Sequence, residues 1–69
     1  MPSQPAQIPM NYKGRRYGGI YSVAGNLMIA RIPGIDSRSH PVDGAREEEL
    51  ARTLLQAILD DAEKAGRLS

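Results

Sequence analysis

The sequence predicts a small α+β protein in which an antiparallel sheet of three strands, or four, is covered by one C-terminal helix. Three observations predict this fold. Apolar residues recur with helical spacing through residues 43–66, two upstream runs have strand composition and flank a tight-turn motif, and a chain of 69 residues forms one domain. We therefore expect the order β-β-β-α, a two-layer sandwich, and a single domain over residues 10–69.

The N-terminal end is expected to stay outside this domain. Residues 1–9 include three prolines and two glutamines, and such a segment offers little to bury and few regular hydrogen-bond donors. We expect a disordered tail here. Residues 10–13 are compatible with a short extra strand, and Gly14-Arg15 with the turn that follows it.

Residues 16–23 predict the first strand of a hairpin. Alternation places Tyr17, Tyr21 and Val23 on one face, and Gly18-Gly19 weaken the middle of the strand or mark a bulge. The tight-turn motif that comes next is Ala24-Gly25-Asn26.

The strand Leu27–Ile32 is apolar on both faces for most of its length. Because a helix covers only one face of a sheet, Leu27 and Ile29 need the tail or a second copy of the chain to cover them. Pro33-Gly34 ends the strand. Residues 35–39 are expected to form a loop, and residues 40–42 an edge strand.

Start and stop signals frame the helix. Asp43 and Gly44 are N-cap candidates, Glu47–Glu49 suit the positive end of the helix dipole, and Gly66 suits a left-handed stop. The apolar residues span an arc of roughly 200°, about twice what one sheet needs to cover. This arc comprises Leu50, Ala51, Leu54, Leu55, Ala57, Ile58, Leu59 and Ala62.

We expect the surplus apolar surface to drive self-association into a homodimer. Leu55 and Leu59 lie at one edge of the helical arc, and with Leu27 and Ile29 they form the expected contact surface. The chain has no cysteine and one histidine, so disulfides and thiolate or histidine zinc sites are excluded as sources of stability. Association with a second copy is then the expected source of additional stability for so short a chain.

Charge and hydropathy restrict the location and the partners. Residues 1–42 sum to +4 and residues 43–69 to −3 within a net charge of +1, so the sheet half is basic and the helix half acidic. No apolar run reaches the roughly 18–20 residues needed to span a membrane, and no signal peptide is recognisable. We expect a cytoplasmic protein without a membrane partner.

No group of residues predicts catalysis. Asp36, Ser37, Ser39, His40 and Asp43 are close in sequence, but short polar residues beside a proline are typical of a loop. No phosphate-binding glycine motif is present. We expect no enzymatic activity, no cofactor, no metal and no small-molecule substrate.

A basic hairpin tip offers an alternative function. Lys13, Arg15 and Arg16 lie beside Tyr12 and Tyr17, and cations with aromatic rings can hold the phosphates and bases of single-stranded nucleic acid. A basic turn also keeps a hairpin tip soluble, and the tyrosines are needed for a core that lacks Phe and Trp.

Two resemblances bear on fold and partners. The pattern Gly14-Arg15-x-Tyr17, Tyr21-x-Val23-x-Gly25, Leu50-Ala51-Arg52 and Leu54-Leu55 resembles short uncharacterised bacterial proteins made of little more than a sheet and a helix (βββα). This resemblance implies a fold without implying a function.

The second resemblance is to the N-terminal domain of HicB-type antitoxins, the partners of small RNA-cleaving toxins. The similar residues are Tyr12-Lys13-Gly14, Arg31-Ile32-Pro33-Gly34-Ile35, and Gly44 with Glu48-Glu49-Leu50, Ala57 and Asp60-Asp61. The chain departs from that family in its tighter hairpin turn, in the lack of a clear strand after the helix, and in the lack of a DNA-binding segment after Ser69. This resemblance implies toxin binding without operator binding.

Overall fold

The fold is a four-stranded antiparallel sheet with one helix on it. The computed structural model describes residues 5–68, and the strands lie side by side in sequence order. The elements are β1 (Ala6–Tyr12), β2 (Arg15–Ala24), β3 (Leu27–Ile32), β4 (Asp36–Pro41) and α1 (Glu47–Lys64). The predicted α+β class is confirmed, and the sheet has the larger of the two predicted strand numbers.

Strand β1 begins earlier than the sequence suggested. Residues 6–9 belong to it, so the expectation of a disordered tail is wrong for them, and residues 1–4 lie outside the described part of the chain. Pro9 opposes Gly18 at the edge of the sheet. A proline whose nitrogen points away from the neighbouring strand removes no ladder bond, which is why an edge strand tolerates it.

Tight turns join the first three strands. Lys13 and Gly14 connect β1 to β2 with φ of 49° and 80°, the left-handed pair that a type I′ hairpin turn requires. The turn therefore lies one residue earlier than expected. Gly25, with φ of 62°, opens the predicted turn at Gly25-Asn26 between β2 and β3, and this prediction is confirmed.

Strand β4 replaces most of the predicted 35–39 loop. Pro33 and Gly34 form a turn closed by a 2.9 Å bond from the Ile35 N–H to the Ile32 carbonyl, and Gly34 has φ of 82°. Pro before a left-handed Gly is typical of a type II turn. The chain reverses within this turn, so that β4 already starts at Asp36.

The helix starts later than its first cap candidates. Asp43 and Gly44 have φ of 47° and 79°, which excludes them from a right-handed helix, and Arg46 is the N-cap residue. The Asp43 carboxylate instead accepts a 2.9 Å bond from Asn26 Nδ2. The predicted stop is confirmed: Gly66 has φ of 73°, and the Arg67 N–H reaches the Ala62 carbonyl at 2.8 Å, as in a Schellman motif.

The core lies between α1 and one face of the sheet. In β3 burial alternates strictly, so that Met28, Ala30 and Ile32 face the helix. Leu55 and Leu59 are both 0% exposed. The expectation that these two leucines remain for a second chain is wrong, because a single subunit already buries them.

Two features explain why one sheet buries most of the helical arc and leaves only Leu50 and Ala57 half-buried. The unexpected residues of β1 widen the sheet, and one of them, Ile8, is 3% exposed and belongs to the core. Gly19 has no side chain where Leu55 approaches β2: a Cβ there would lie 2.5 Å from Leu55 Cδ1. At the margins of the core Ile35, Val42 and Leu68 add further cover.

Candidate functional site: the open face of the sheet

The sheet face opposite α1 is the candidate site, and we name it the open face. Residues paired across antiparallel strands lie on the same face, so the pairings assign this face directly. Its central residues are Gln7, Gly18, Ile20, Ser22, Leu27, Ile29 and Arg31. No element in residues 5–68 covers it.

Leu27 and Ile29 dominate the open face. Their side chains are 42% and 43% exposed, and they are the large apolar residues that residues 5–68 leave exposed. Ile20, half-buried on β2, pairs with Arg31 and is the diagonal neighbour of Ile29. The sequence-based expectation that the helix leaves these two β3 residues uncovered is therefore confirmed for residues 5–68.

Shallow depressions flank the row formed by Gln7 and Ile20. One of about 490 Å³ is lined by Gly18 and Gly19 with Pro9 and Pro33 on either side. It exists because Gly18 has no side chain: a Cβ at this position would meet nothing within 4 Å. The second, of about 440 Å³, lies toward Ser22, Ile29 and Arg31.

Charge differs between the two faces of the sheet, whereas both ends of the molecule carry acidic residues, since Asp60 and Glu63 of α1 lie at the hairpin end beside Tyr12 and Lys13. The strand residues of the open face include Arg16 and Arg31 and no acidic residue. The hairpin turn carries Lys13, whereas Asp43 lies beside the turn at the opposite end of the sheet, through its bond to Asn26. The first turn of α1, which follows Asp43, adds Glu47, Glu48 and Glu49 there.

Both sheet edges resist pairing with another strand. On β4 the Asp36 carboxylate accepts the Ser37 N–H at 2.8 Å, and His40 Nδ1 lies 2.7 Å from the Pro41 carbonyl oxygen. On β1, Pro9 offers no N–H to a new strand. Edge-to-edge assembly is therefore disfavoured, and the open face is the larger uncovered surface of the sheet.

The Asp36 carboxyl group is held in its charged form. The Ser37 N–H bond lowers its pKa below the ordinary 3.8, with a further contribution from the Arg67 guanidinium 3.4 Å away. Arg67 also donates a 2.9 Å bond to the Ile35 carbonyl. These contacts bind Arg67, three residues beyond the end of α1, to the start of β4 and have a structural role.

Two residues of the basic hairpin tip already bind acidic side chains of α1. Tyr12 Oη donates a 2.8 Å hydrogen bond to Asp60, and Lys13 pairs with Glu63. The hydrogen bond to Asp60, together with burial and neighbouring carboxylates, raises the pKa of Tyr12 from 10.0 to about 12.

The expected nucleic-acid residues do not form one surface. Tyr12, Lys13, Arg15 and Tyr17 line a crevice of about 210 Å³ on the helix side. Arg16 alternates onto the open face. The rings of Tyr12 and Tyr17 therefore lie on the face of the sheet that the helix covers, where they are partly buried against the core.

The polar residues around β4 do not converge on a catalytic arrangement. Asp36 and His40 lie on the helix side of the strand, whereas Ser37 and Ser39 alternate onto the open face. Within residues 5–68 no group of three or more histidine or acidic side chains is arranged to hold a metal ion. No helix in this part of the chain has the length and apolar character needed to cross a membrane.

Sequence patterns identify the exposed Leu27 and Ile29 but not the depression at Gly18. From the sequence, Gly18 indicates only a weakened strand or a bulge. The gap in the open face becomes visible only when Gly18 is seen to pair with Pro9. The available signal is Pro9, which the sequence places in an apparent tail. It is typical of an edge strand as well as of disorder.

Comparison of the chain with protein-family models, with curated proteins and with solved structures finds no match. Function is therefore inferred from the chemistry of the open face.

Proposed function

We propose that this protein is a non-catalytic binding module that assembles with a second copy of itself through the open face. The observation that carries the proposal is the exposure of Leu27 and Ile29, 42% and 43%, on a sheet face that no element of the described chain covers. Exposed apolar patches on small proteins mark interaction sites.

The size of the chain supports the same proposal. A domain of 69 residues buries a small core, and the cysteine-free sequence supplies no disulfide to reinforce it. Association that buries Leu27 and Ile29 stabilises the folded form by mass action. The Ser37 N–H is already bonded to Asp36, and Pro9 has no N–H to donate, so packing through the face is favoured over pairing at an edge.

The test compares the mass of the wild-type protein with that of the double variant Leu27→Glu/Ile29→Glu at equal micromolar concentration. Both side chains are exposed in the single subunit, so we expect the variant to stay folded. Two buried carboxylates facing their copies are costly, so the variant should have the 7.5 kDa mass of one chain, whereas the wild type should be dimeric.

Thr53→Glu is the matched control, since it adds a carboxylate on the exposed side of α1. We expect this variant to dimerise like the wild type. A monomeric wild-type protein, or a double variant that is folded and still dimeric, would refute the proposal.

The HicB resemblance supplies a second candidate, in which the chain binds a small basic toxin. It is supported by the charge of α1, which holds six of the eight acidic residues of the chain. Co-purification of a small basic protein from the native host, lost in Glu48→Lys/Glu49→Lys but kept in Leu27→Glu, would favour this candidate over self-assembly. In either case we propose a cytoplasmic location, consistent with the absence of cysteine.

Nucleic-acid binding at the hairpin is the less favoured alternative, because Tyr12 and Lys13 already engage Asp60 and Glu63. Titration with single-stranded oligonucleotides at low and high salt tests it. We expect weak binding at most. A tight, strongly salt-dependent complex that Arg15→Glu abolishes would reinstate this function.

A further inference from the structure

We infer that the second copy packs on the open face with β3 stacked on its own copy in the opposite direction, so that Arg31 of each chain pairs with Asp43 of the other. This inference rests on the proposed function and specifies the register and the charged contacts of the dimer. It assigns Leu27 and Ile29 to the apolar centre of the interface, and Arg31 with Asp43 to its two charged ends.

Successive rows of residues along β3 define the register. The open face presents Arg31, then Ile29, then Leu27, and neighbouring rows are two residues, or about 6.6 Å, apart. A two-fold axis that lies across the strands stacks each strand on its own copy and reverses its direction. When this axis passes between the Leu27 and Ile29 rows, Leu27 of each chain faces Ile29 of the other.

Asp43 lies at the end of the sheet, one row beyond Leu27. Leu27 pairs with Pro41, the Val42 N–H continues this ladder with a 2.7 Å bond to the Asn26 carbonyl, and Asp43 follows. The Asp43 N–H donates a 3.0 Å bond to Asn26 Oδ1, and its carboxylate accepts the 2.9 Å bond from Asn26 Nδ2. These bonds hold the carboxylate beside the β2–β3 turn, in the sheet layer, before α1 begins.

Arg31 is the cation that this register uses. It is exposed on the open face, and within residues 5–68 no carboxylate forms an ion pair with it. Arg31 lies one row beyond Ile29, as Asp43 lies one row beyond Leu27, so the two-fold axis brings the two charges opposite each other. Packed sheets lie about 10 Å apart, a gap that an extended arginine side chain and a carboxylate bridge. One ion pair then closes each end of the apolar contact.

Other registers of the same antiparallel packing lose the apolar contact. An axis at the Ile29 row sets Leu27 against Arg31 of the other chain. An axis at the Leu27 row sets Ile29 against Gly25 in the β2–β3 turn. Both bury less apolar surface than a register in which each large aliphatic side chain meets another.

Charge disfavours the parallel orientation, in which the axis runs along the strands between β2 and β3. That axis stacks β3 on β2, so that Leu27 faces Ala24 and Ile29 faces Ser22 of the other chain. The two Arg31 side chains then lie at the same level on adjacent strand positions, and like charges brought together in an interface oppose association. The antiparallel register separates them by three rows, or about 20 Å.

Charge reversal at the two positions tests the inference. Arg31→Glu and Asp43→Lys each replace both ion pairs of the dimer by like-charge contacts, so the dissociation constant of each variant, measured by sedimentation equilibrium, should rise by roughly tenfold or more. An equimolar mixture of the two variants should dimerise like the wild type, because in the mixed dimer each introduced charge meets its opposite. Lysine suits the backbone at position 43, since Lys13 has φ of 49° and Asp43 has φ of 47°.

Arg16→Glu is the matched control, because it makes the same change of charge on the same face. Arg16 lies four residues along β2 from Ile20, which places it two rows beyond the reach of the partner's β2–β3 turn. We expect this variant to have the dissociation constant of the wild type. A parallel dimer would instead exchange one like-charge contact for another in Arg31→Glu and leave that variant unchanged.

A neutral variant provides a second readout that does not depend on the folding of Asp43→Lys. Asp43→Asn keeps an acceptor for Asn26 and a residue type that tolerates left-handed backbone. In the wild-type background it removes an ion pair and should raise the dissociation constant. In the Arg31→Glu background it removes a like-charge contact and should lower the constant. A role of Asp43 confined to the fold of one chain would not reverse the sign.

Unchanged constants in the single variants, a mixture that stays monomeric, or a change of the same sign in both backgrounds would overturn the inference. Each of these results leaves a dimeric wild type, and hence the proposed function, intact. A monomeric wild type would overturn both.

Discussion

At the scale of single residues, neighbouring or identical amino acids have different roles. Gly19 faces the helix and gives Leu55 room, whereas Gly18 faces outward and leaves a gap in the open face. Leu55 is fully buried and Leu27 is 42% exposed. Residue type alone does not separate these roles, because they follow from which face of the sheet each position occupies.

The two glycines predict a contrast in stability. Gly19→Ala places a Cβ 2.5 Å from Leu55 Cδ1 and 3.1 Å from the Ile8 carbonyl oxygen, and overpacking of this kind costs about 1–3 kcal/mol of unfolding free energy. Gly18→Ala meets no atom and should change it by less than about 0.5 kcal/mol. Urea unfolding of both variants measures the difference; equal stabilities would contradict the assigned faces.

The two leucines predict a second contrast. Leu55→Ala opens a cavity in the core and should cost about 2–5 kcal/mol. Leu27→Ala, measured by urea unfolding at a concentration low enough to keep the chain monomeric, should cost less than about 0.5 kcal/mol. A large loss for Leu27→Ala under these conditions would mean that the single subunit buries Leu27 after all.

At the scale of elements, side-chain contacts fasten the β1–β2 hairpin to the C-terminal half of α1. Tyr12 bonds to Asp60 and Lys13 pairs with Glu63, while Arg38 of β4 pairs with Asp61. These contacts fix both sides of the sheet to one helix. They leave the open face as the uncovered side of the sheet.

The Tyr12 contact predicts a pH dependence. The phenol donates to Asp60 only while it is protonated, and its pKa in the folded protein is about 12 against 10.0 for the unperturbed group. The stabilisation is therefore fully present below pH 10 and is lost as the pH rises from 10 to about 12. The difference in urea midpoint between wild type and Tyr12→Phe should shrink over this range.

The matched variant is Asp60→Asn, which keeps a hydrogen-bond acceptor and removes the charge. Phenolate absorbance should show Tyr12 ionising at lower pH in this variant than in the wild type. Identical titration of the two proteins would show that Asp60 does not control the Tyr12 pKa.

At the scale of the whole molecule, sequence patterns predicted the class, the β3 strand and the helix stop, because alternation, helical period and a left-handed glycine are local signals. The start of β1 is not predictable from the sequence, because Pro9 is compatible both with a disordered segment and with an edge strand. The same strand accounts for the burial of Leu55 and Leu59, because without β1 the sheet is too small to cover them. The open face itself was predictable only through Leu27 and Ile29.

The most direct test is the mass of the wild-type chain by sedimentation equilibrium from low to high micromolar concentration. Self-assembly through the open face predicts a mass that rises from 7.5 kDa toward twice that value. A mass of 7.5 kDa at every concentration would contradict it.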